Sequence, residues 1–207
     1  MRRIMLLGTI AALALAGCHK TGSNAGQDVS NPGQSAPVNT VQDVAAMPVG
    51  EASAVSNITD AAGYVQAAAM ADLYEVEAGK IAVARAKDPA VKAFGQMMVD
   101  DHTMTTDNLK STLQKTGLSI TPPAALDERR KGMLDNLRAA GDADFDLAYL
   151  HQQLAAHLEA LTLHKGYAAA GDNADLKALA AKTAPVIQKH IDRLRQIGGD
   201  KLKDATT

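Results

Sequence analysis

Residues 87–117 read KDPAVKAFGQMMVDDHTMTTDNLKSTLQKTG, and their punctuation decides the fold class. Asp88 stands where a helix N-cap belongs, and Pro89 takes the first helical position, where a missing N–H costs nothing. Gly117 stops the helix at its other end. Between them, at 100° per residue, Val91, Phe94, Met98, Leu109 and Leu113 share one arc. His102 lies inside that arc, between Met98 and Leu109. Asp101 sits at its edge and Asp100 faces out. A long amphipathic helix with an imidazole on its apolar face predicts a bundle with polar groups inside.

The flanking sequence supplies three more long helices. The first is predicted over 58–87 and ends at Asp88-Pro89. After Gly117, Thr121-Pro122-Pro123 marks a loop, and a shorter helix follows over 126–140. Gly141-Asp142 interrupts it before a third long helix over 143–170. Gly171-Asp172-Asn173 makes a short turn into a fourth over 174–197, which Pro185 should bend. The stretch is rich in Ala, Leu, Lys, Gln and Met, which favour helix, and no alternating strand pattern interrupts it. Two helical hairpins joined by a longer connection predict an all-α, four-helix bundle over 58–198, of the ferritin-like kind if the connection crosses over. A short extra helix lies in that connection, and 199–207 is expected to be a disordered tail.

The predicted inner faces carry potential ligands. On the first helix Val65, Ala69, Leu73, Val76 and Val83 form the arc, with Glu77 in its margin and Glu75 on the opposite side. On the third, His157 and His164 lie near the middle of a wide arc with Gln153. On the fourth, His190 joins Leu176, Leu179, Ile187 and Leu194. Each helix thus points one strong candidate inward: Glu77, His102, His157 and His190. Glu77 precedes Asp88 by 11 residues and His102 follows it by 14; His157 precedes Asp172 by 15 and His190 follows it by 18. Each hairpin therefore brings its pair to within about 4–5 Å of one level. Whether the hairpins share a level depends on the connection.

Three imidazoles and a carboxylate suit Zn, Fe, Mn or Cu, with Asp101 as a further ligand or as the holder of an imidazole N–H. The same residues could instead satisfy one another in a hydrogen-bonded network without metal. The Glu-x-x-His motif of di-iron carboxylate bundles is absent, since Val99, Leu154 and Ile187 precede the three histidines by three residues. The methionines read as core filler.

The start of the chain addresses it. Arg2 and Arg3 precede an uncharged, mostly apolar run over 4–16, too short to span a bilayer and sized like a signal-peptide core. It ends in Leu15-Ala16-Gly17-Cys18, which resembles the lipobox of bacterial lipoproteins. That resemblance implies cleavage of 1–17, lipidation of Cys18, and a membrane attachment through lipid. Cys18 is the only cysteine, so no internal disulfide is possible. His19, rather than aspartate, favours the outer membrane over the inner. Residues 19–57, rich in Gly, Ser, Asn, Ala, Thr and Pro, read as a flexible linker spanning roughly 35 Å. The domain is thus expected in the periplasm.

Charge and motifs exclude several classes. Without Arg2 and Arg3, 19 basic residues face 23 acidic ones, a formal −4. That balance, with two Phe and no Trp, gives no nucleic-acid footprint. No Gly-rich phosphate loop, Gly-x-Ser-x-Gly or His-Glu-x-x-His is present. The words Glu75-Val76-Glu77-Ala78-Gly79-Lys80, Met98-Val99-Asp100-Asp101-His102, Phe145-Asp146 with Tyr149 and His157, and Pro185 with His190 resemble the bacterial domain of unknown function 4142 family. The likeness covers about 58–197. It implies an exported, ferritin-like bundle with Glu77, His102, His157 and His190 at matching positions, and it implies no particular reaction. The expectation is a lipid-anchored envelope protein with a non-enzymatic binding role and a metal site. The alternatives are a metal-dependent redox or peroxide-handling enzyme and a purely structural interaction module.

Overall fold

A computed structural model describes residues 55–206, with side chains to residue 202. The predicted signal peptide, Cys18 and nearly all of the linker lie outside the described residues. Among the described residues five α-helices make up the fold: α1 (Ala61–Arg85), α2 (Pro89–Thr116), α3 (Glu128–Ala139), α4 (Phe145–Ala170) and α5 (Ala174–Gly198). Among the described residues there is no strand. The all-α bundle expected from the sequence is the fold observed. No described helix is long and apolar enough to cross a membrane.

Local chemistry sets the helix ends. Asp60, Asp88, Asp127 and Asn173 each cap a helix by accepting a backbone N–H within the first turn. Pro89 opens α2, and Gly117 closes it with φ 68°, a left-handed conformation that suits glycine. Pro185 lies inside α5 without ending it. Past Gly198 the chain does not become the disordered tail expected. Gly199 turns with φ 52° and Gly199–Thr206 forms a 3₁₀ helix. It buries Leu202 in the core, over Gly198, where any side chain would collide with that leucine.

Each long helix packs on two others, in the ring order α1, α2, α5, α4. Both hairpins are antiparallel. The start of α1 meets the end of α4 where Tyr64 stacks on Tyr167, ring centroids 4.0 Å apart. The end of α1 meets the start of α4, where the Arg85 guanidinium lies over the Phe145 ring at 4.7 Å. These helices are therefore antiparallel too, and the chain must cross from the end of α2 back to the opposite end of the bundle, with α3 on the way. Two apolar clusters fill the interior. One surrounds Phe94, Met98, Phe145, Tyr149 and Ile187; the other surrounds Tyr64, Val65, Leu109, Leu113 and Tyr167. A band of buried polar groups separates them.

Tertiary contacts lock the two hairpins to one level, the point the sequence left open. Asp146, in the first turn of α4, accepts the backbone N–H groups of Lys87 at 3.1 Å and Asp88 at 2.7 Å, in the turn between α1 and α2. Arg85 donates to the carbonyls of Leu137, Arg138 and Ala140, capping the C-terminal end of α3. At the far end, the Asp172 N–H donates to Thr59 O at 2.9 Å. Replacing Arg85 by Ala should destabilise the bundle by about 2–4 kcal/mol, since three carbonyls lose a charged donor. Denaturant unfolding followed by circular dichroism reads this directly. A change within error would show that water caps α3 equally well.

Candidate metal centre

Three of the four inward candidates converge. His102 on α2, His157 on α4 and His190 on α5 are all buried. One ligand-capable ring nitrogen from each lies within 4.8 Å of the others. Each ring is held at its other nitrogen. His102 Nδ1 lies 2.8 Å from the Asp72 carboxylate of α1, which also receives the Thr105 and Thr106 hydroxyls at 2.8 and 3.3 Å. His157 Nδ1 lies 2.8 Å from the Gln153 carbonyl one turn back. His190 Nε2 lies 2.9 Å from Asp101 Oδ2.

These partners assign the protons. A carboxylate and a backbone carbonyl accept, so the N–H is placed on His102 Nδ1, His157 Nδ1 and His190 Nε2. In its neutral form each ring then keeps its lone pair at His102 Nε2, His157 Nε2 or His190 Nδ1. His157 Nε2 and His190 Nδ1 stand 3.3 Å apart, lone pair toward lone pair. His102 Nε2 is buried without a hydrogen-bond partner. Two facing lone pairs repel unless a cation stands between them. A proton is disfavoured there: burial, with the charge of neighbouring imidazoles, pushes His157 far down, and burial also lowers His190. His102 moves the other way. Burial pulls it down, but the hydrogen bond and charge of Asp72, with Glu75 and Asp101 nearby, outweigh that and raise it.

The carboxylate reading of α1 needs correction. Glu77 points away from the bundle, its side chain 44% exposed and ion-paired with Lys80 at 2.7 Å. Glu75, expected on the outer side, is instead 3% exposed, with Oε1 3.5 Å from His157 Nδ1. Burial pushes its carboxyl up to about 7. The large apolar residues suggested the wrong rotation. Leu73 and Val76 are only half-buried, while Tyr64, Ala68, Asp72, Glu75, Gly79 and Ala82 form the buried stripe. Gly79 and Gly95 let α1 and α2 approach so closely that a Cβ at Gly79 would lie 2.6 Å from Gly95 O. That contact turns the small-residue face inward. Asp72 was missed for the same reason; its place on the Ala68-to-Gly79 stripe is the signal that could have found it. His164, on the same arc of α4 as His157, accepts or donates at Nδ1 with the Tyr64 hydroxyl, 3.0 Å away.

A family model matches residues 45–197, spanning both hairpins and every residue of this centre. The chain belongs to the domain of unknown function family DUF4142. No curated protein and no solved structure matches it. The DUF4142 domain thus places three histidines from three helices around one point, with Asp72 from the fourth helix and Asp101 beside His190 on its rim. Such an arrangement can donate three neutral nitrogen lone pairs to a cation.

Proposed function

We propose that this DUF4142 domain is a metal-binding module of the cell envelope. His102, His157 and His190 hold a divalent first-row transition metal, and the lipid on Cys18 anchors the domain in the outer membrane, facing the periplasm. The observation that carries the metal reading is the convergence of three lone pairs whose opposite N–H groups are already committed to Asp72, Gln153 and Asp101. Committed N–H groups are how proteins orient imidazole ligands. Bonds of about 2.0–2.1 Å at tetrahedral angles set ligand nitrogens roughly 3.3 Å apart. The His157–His190 pair stands at 3.3 Å, so those rings need no rearrangement and His102 must lean in. The single crossover between α2 and α4 is also the connectivity of ferritin-like bundles, which build metal sites between facing helices. That is an analogy of architecture.

A second reading, a metal-dependent redox or peroxide-handling enzyme, draws on one feature. Three protein nitrogens leave room for one more ligand on a four-coordinate metal, the mark of catalytic rather than structural sites, and a buried carboxyl, Glu75, lies 3.5 Å from the outer nitrogen of His157.

Elemental analysis tests the metal. The full chain is equilibrated with Fe, Mn, Zn or Cu and compared with a variant in which His102, His157 and His190 are all Ala. The expected result is about one metal per chain, lost in the variant while helical content is kept. Metal no higher than background in the wild type would overturn the reading and make the three histidines a hydrogen-bonded network. Turnover of peroxide by the loaded protein, absent from the variant, would select the enzymatic reading.

A further inference from the structure

His102, His157 and His190 are 2%, 1% and 3% exposed, so a cation reaches them only past another side chain, and a metal site needs an entry path. Asp101 marks one. Its side chain is 30% exposed, yet Oδ2 lies 2.9 Å from His190 Nε2. On its outer side Asp101 lines a groove between α2 and α5 with a volume of about 430 Å³. A water molecule takes about 30 Å³, so an ion fits there with its first shell of water. Thr105 lines the same groove and donates to Asp72, the carboxylate that holds His102. The groove therefore touches residues that hold two of the three imidazoles.

The sequence explains the opening. Along it α2 presents Ser111 and Thr112 while α5 presents Ala178 and Thr183, side chains too short to fill the seam between two helices. Lys115 and Lys182 balance Asp101 and Asp175, so the groove as a whole carries no net charge. The attraction for a cation lies at its inner end, in the Asp101 carboxylate. The His190 ring is the partition there: Nε2 faces Asp101, and Nδ1 faces His157 Nε2 at 3.3 Å. An ion that takes up the Asp101 oxygens makes them poorer hydrogen-bond acceptors. That loosens the ring standing between the groove and the lone pairs.

We propose that the α2–α5 groove is the path by which a divalent transition-metal ion enters and leaves the histidine centre, with Asp101 as the first carboxylate it meets and the His190 ring as the door. It rests on the metal reading above and concerns rates, which that reading leaves open. A path changes uptake and release by the same factor and leaves the equilibrium where it was. A ligand changes the equilibrium.

Zn²⁺ uptake and release against a coloured chelator are followed by stopped flow on the full chain with Cys18→Ser, before and after the groove is blocked. Met104→Cys supplies the block. Met104 lines the groove three residues after Asp101 and is 56% exposed, and a helical side chain lies over the turn that precedes it. A bulky aromatic group joined to the new thiol by a disulfide, after folding, should slow uptake and release alike by about tenfold or more, with the dissociation constant changed less than about twofold. Removing the group with a reductant should restore both rates. Val186→Trp, on the opposite wall and one turn before His190, should act in the same way. Asp101→Asn keeps an acceptor for His190 but loses the charge, and should slow uptake. Rates unchanged by the label and by Val186→Trp, with Zn²⁺ bound, would overturn the path and leave the metal reading standing. A weaker dissociation constant with unchanged uptake would overturn it as well, since the groove would then serve the site and not the passage. Unchanged uptake in Asp101→Asn would overturn the part given to Asp101. No bound Zn²⁺ in the unlabelled protein would remove the metal reading and this proposal with it. If Val186→Trp fails to fold, the labelled protein, blocked only after folding, decides.

Discussion

Saturating the protein with Zn²⁺ at about a hundred times its dissociation constant should stabilise the fold by about 2.7 kcal/mol, because the ion binds the folded state and not the unfolded one. For a domain of this size, the thermal midpoint should rise by roughly 5–10 °C. His157→Ala should abolish the shift. That ring supplies one of the three lone pairs, 3.3 Å from His190 Nδ1 and 5.7 Å between ring centroids from His102. The variant will also lower the metal-free midpoint, because it opens a cavity beside Phe94. The readout is therefore the difference with and without metal, to which that cavity contributes equally on both sides. Asp72→Asn separates orientation from ligation. It keeps all three rings but replaces the carboxylate that accepts from His102 Nδ1, so affinity should fall by about 10–100-fold without vanishing. An undiminished shift in His157→Ala would place the ion elsewhere.

Gly79→Leu should destabilise the bundle by about 3 kcal/mol or more. A Cβ there meets Gly95 O at 2.6 Å, Val99 Cγ2 at 3.0 Å and Met98 Cβ at 3.3 Å. The nearest obstacle is backbone inside a long helix, so it cannot swing aside, and α1 must move away from α2. Gly95→Leu meets the reverse of the same contact, Ala82 Cβ at 2.8 Å and Gly79 O at 3.0 Å. The two substitutions together should therefore cost less than the sum of each alone. Gly79→Ala is the sharper test. Helix propensity alone would make it stabilising by about 1 kcal/mol. The close approach makes it destabilising. A more stable Gly79→Ala protein, measured by denaturant unfolding, would mean that α1 and α2 stand further apart.

The same close approach explains which parts of the centre could be read early. Asp88, Pro89 and Gly117 announce α2 through local backbone chemistry, and the structure begins and ends that helix at Pro89 and Thr116. His102 and His190 lie among large apolar neighbours on helices whose apolar arc is one-sided, and both are buried as expected. α1 and α4 are harder. Gln152, Gln153 and three histidines are all buried on α4, because it packs on α1, α3 and α5 at once. On α1, alanine and glycine carry too little surface to mark a face. Counting apolar side chains therefore followed Leu73 and Val76 and put Glu77 where Glu75 belongs.

Helix number, helix ends and the all-α class followed from the amino-acid order, because caps, breakers and periodicity act within a few residues of one chain. The level shared by the two hairpins did not. It depends on Asp146 gripping the α1–α2 turn and Arg85 gripping α3, contacts between residues 52 to 59 apart in the chain. The rotation of α1, and with it the exchange of Glu77 for Glu75 and the arrival of Asp72 at His102, comes from a glycine-to-glycine contact between two helices. A helix is free to turn about its own axis until a neighbour engages it, and local sequence holds no force that stops it.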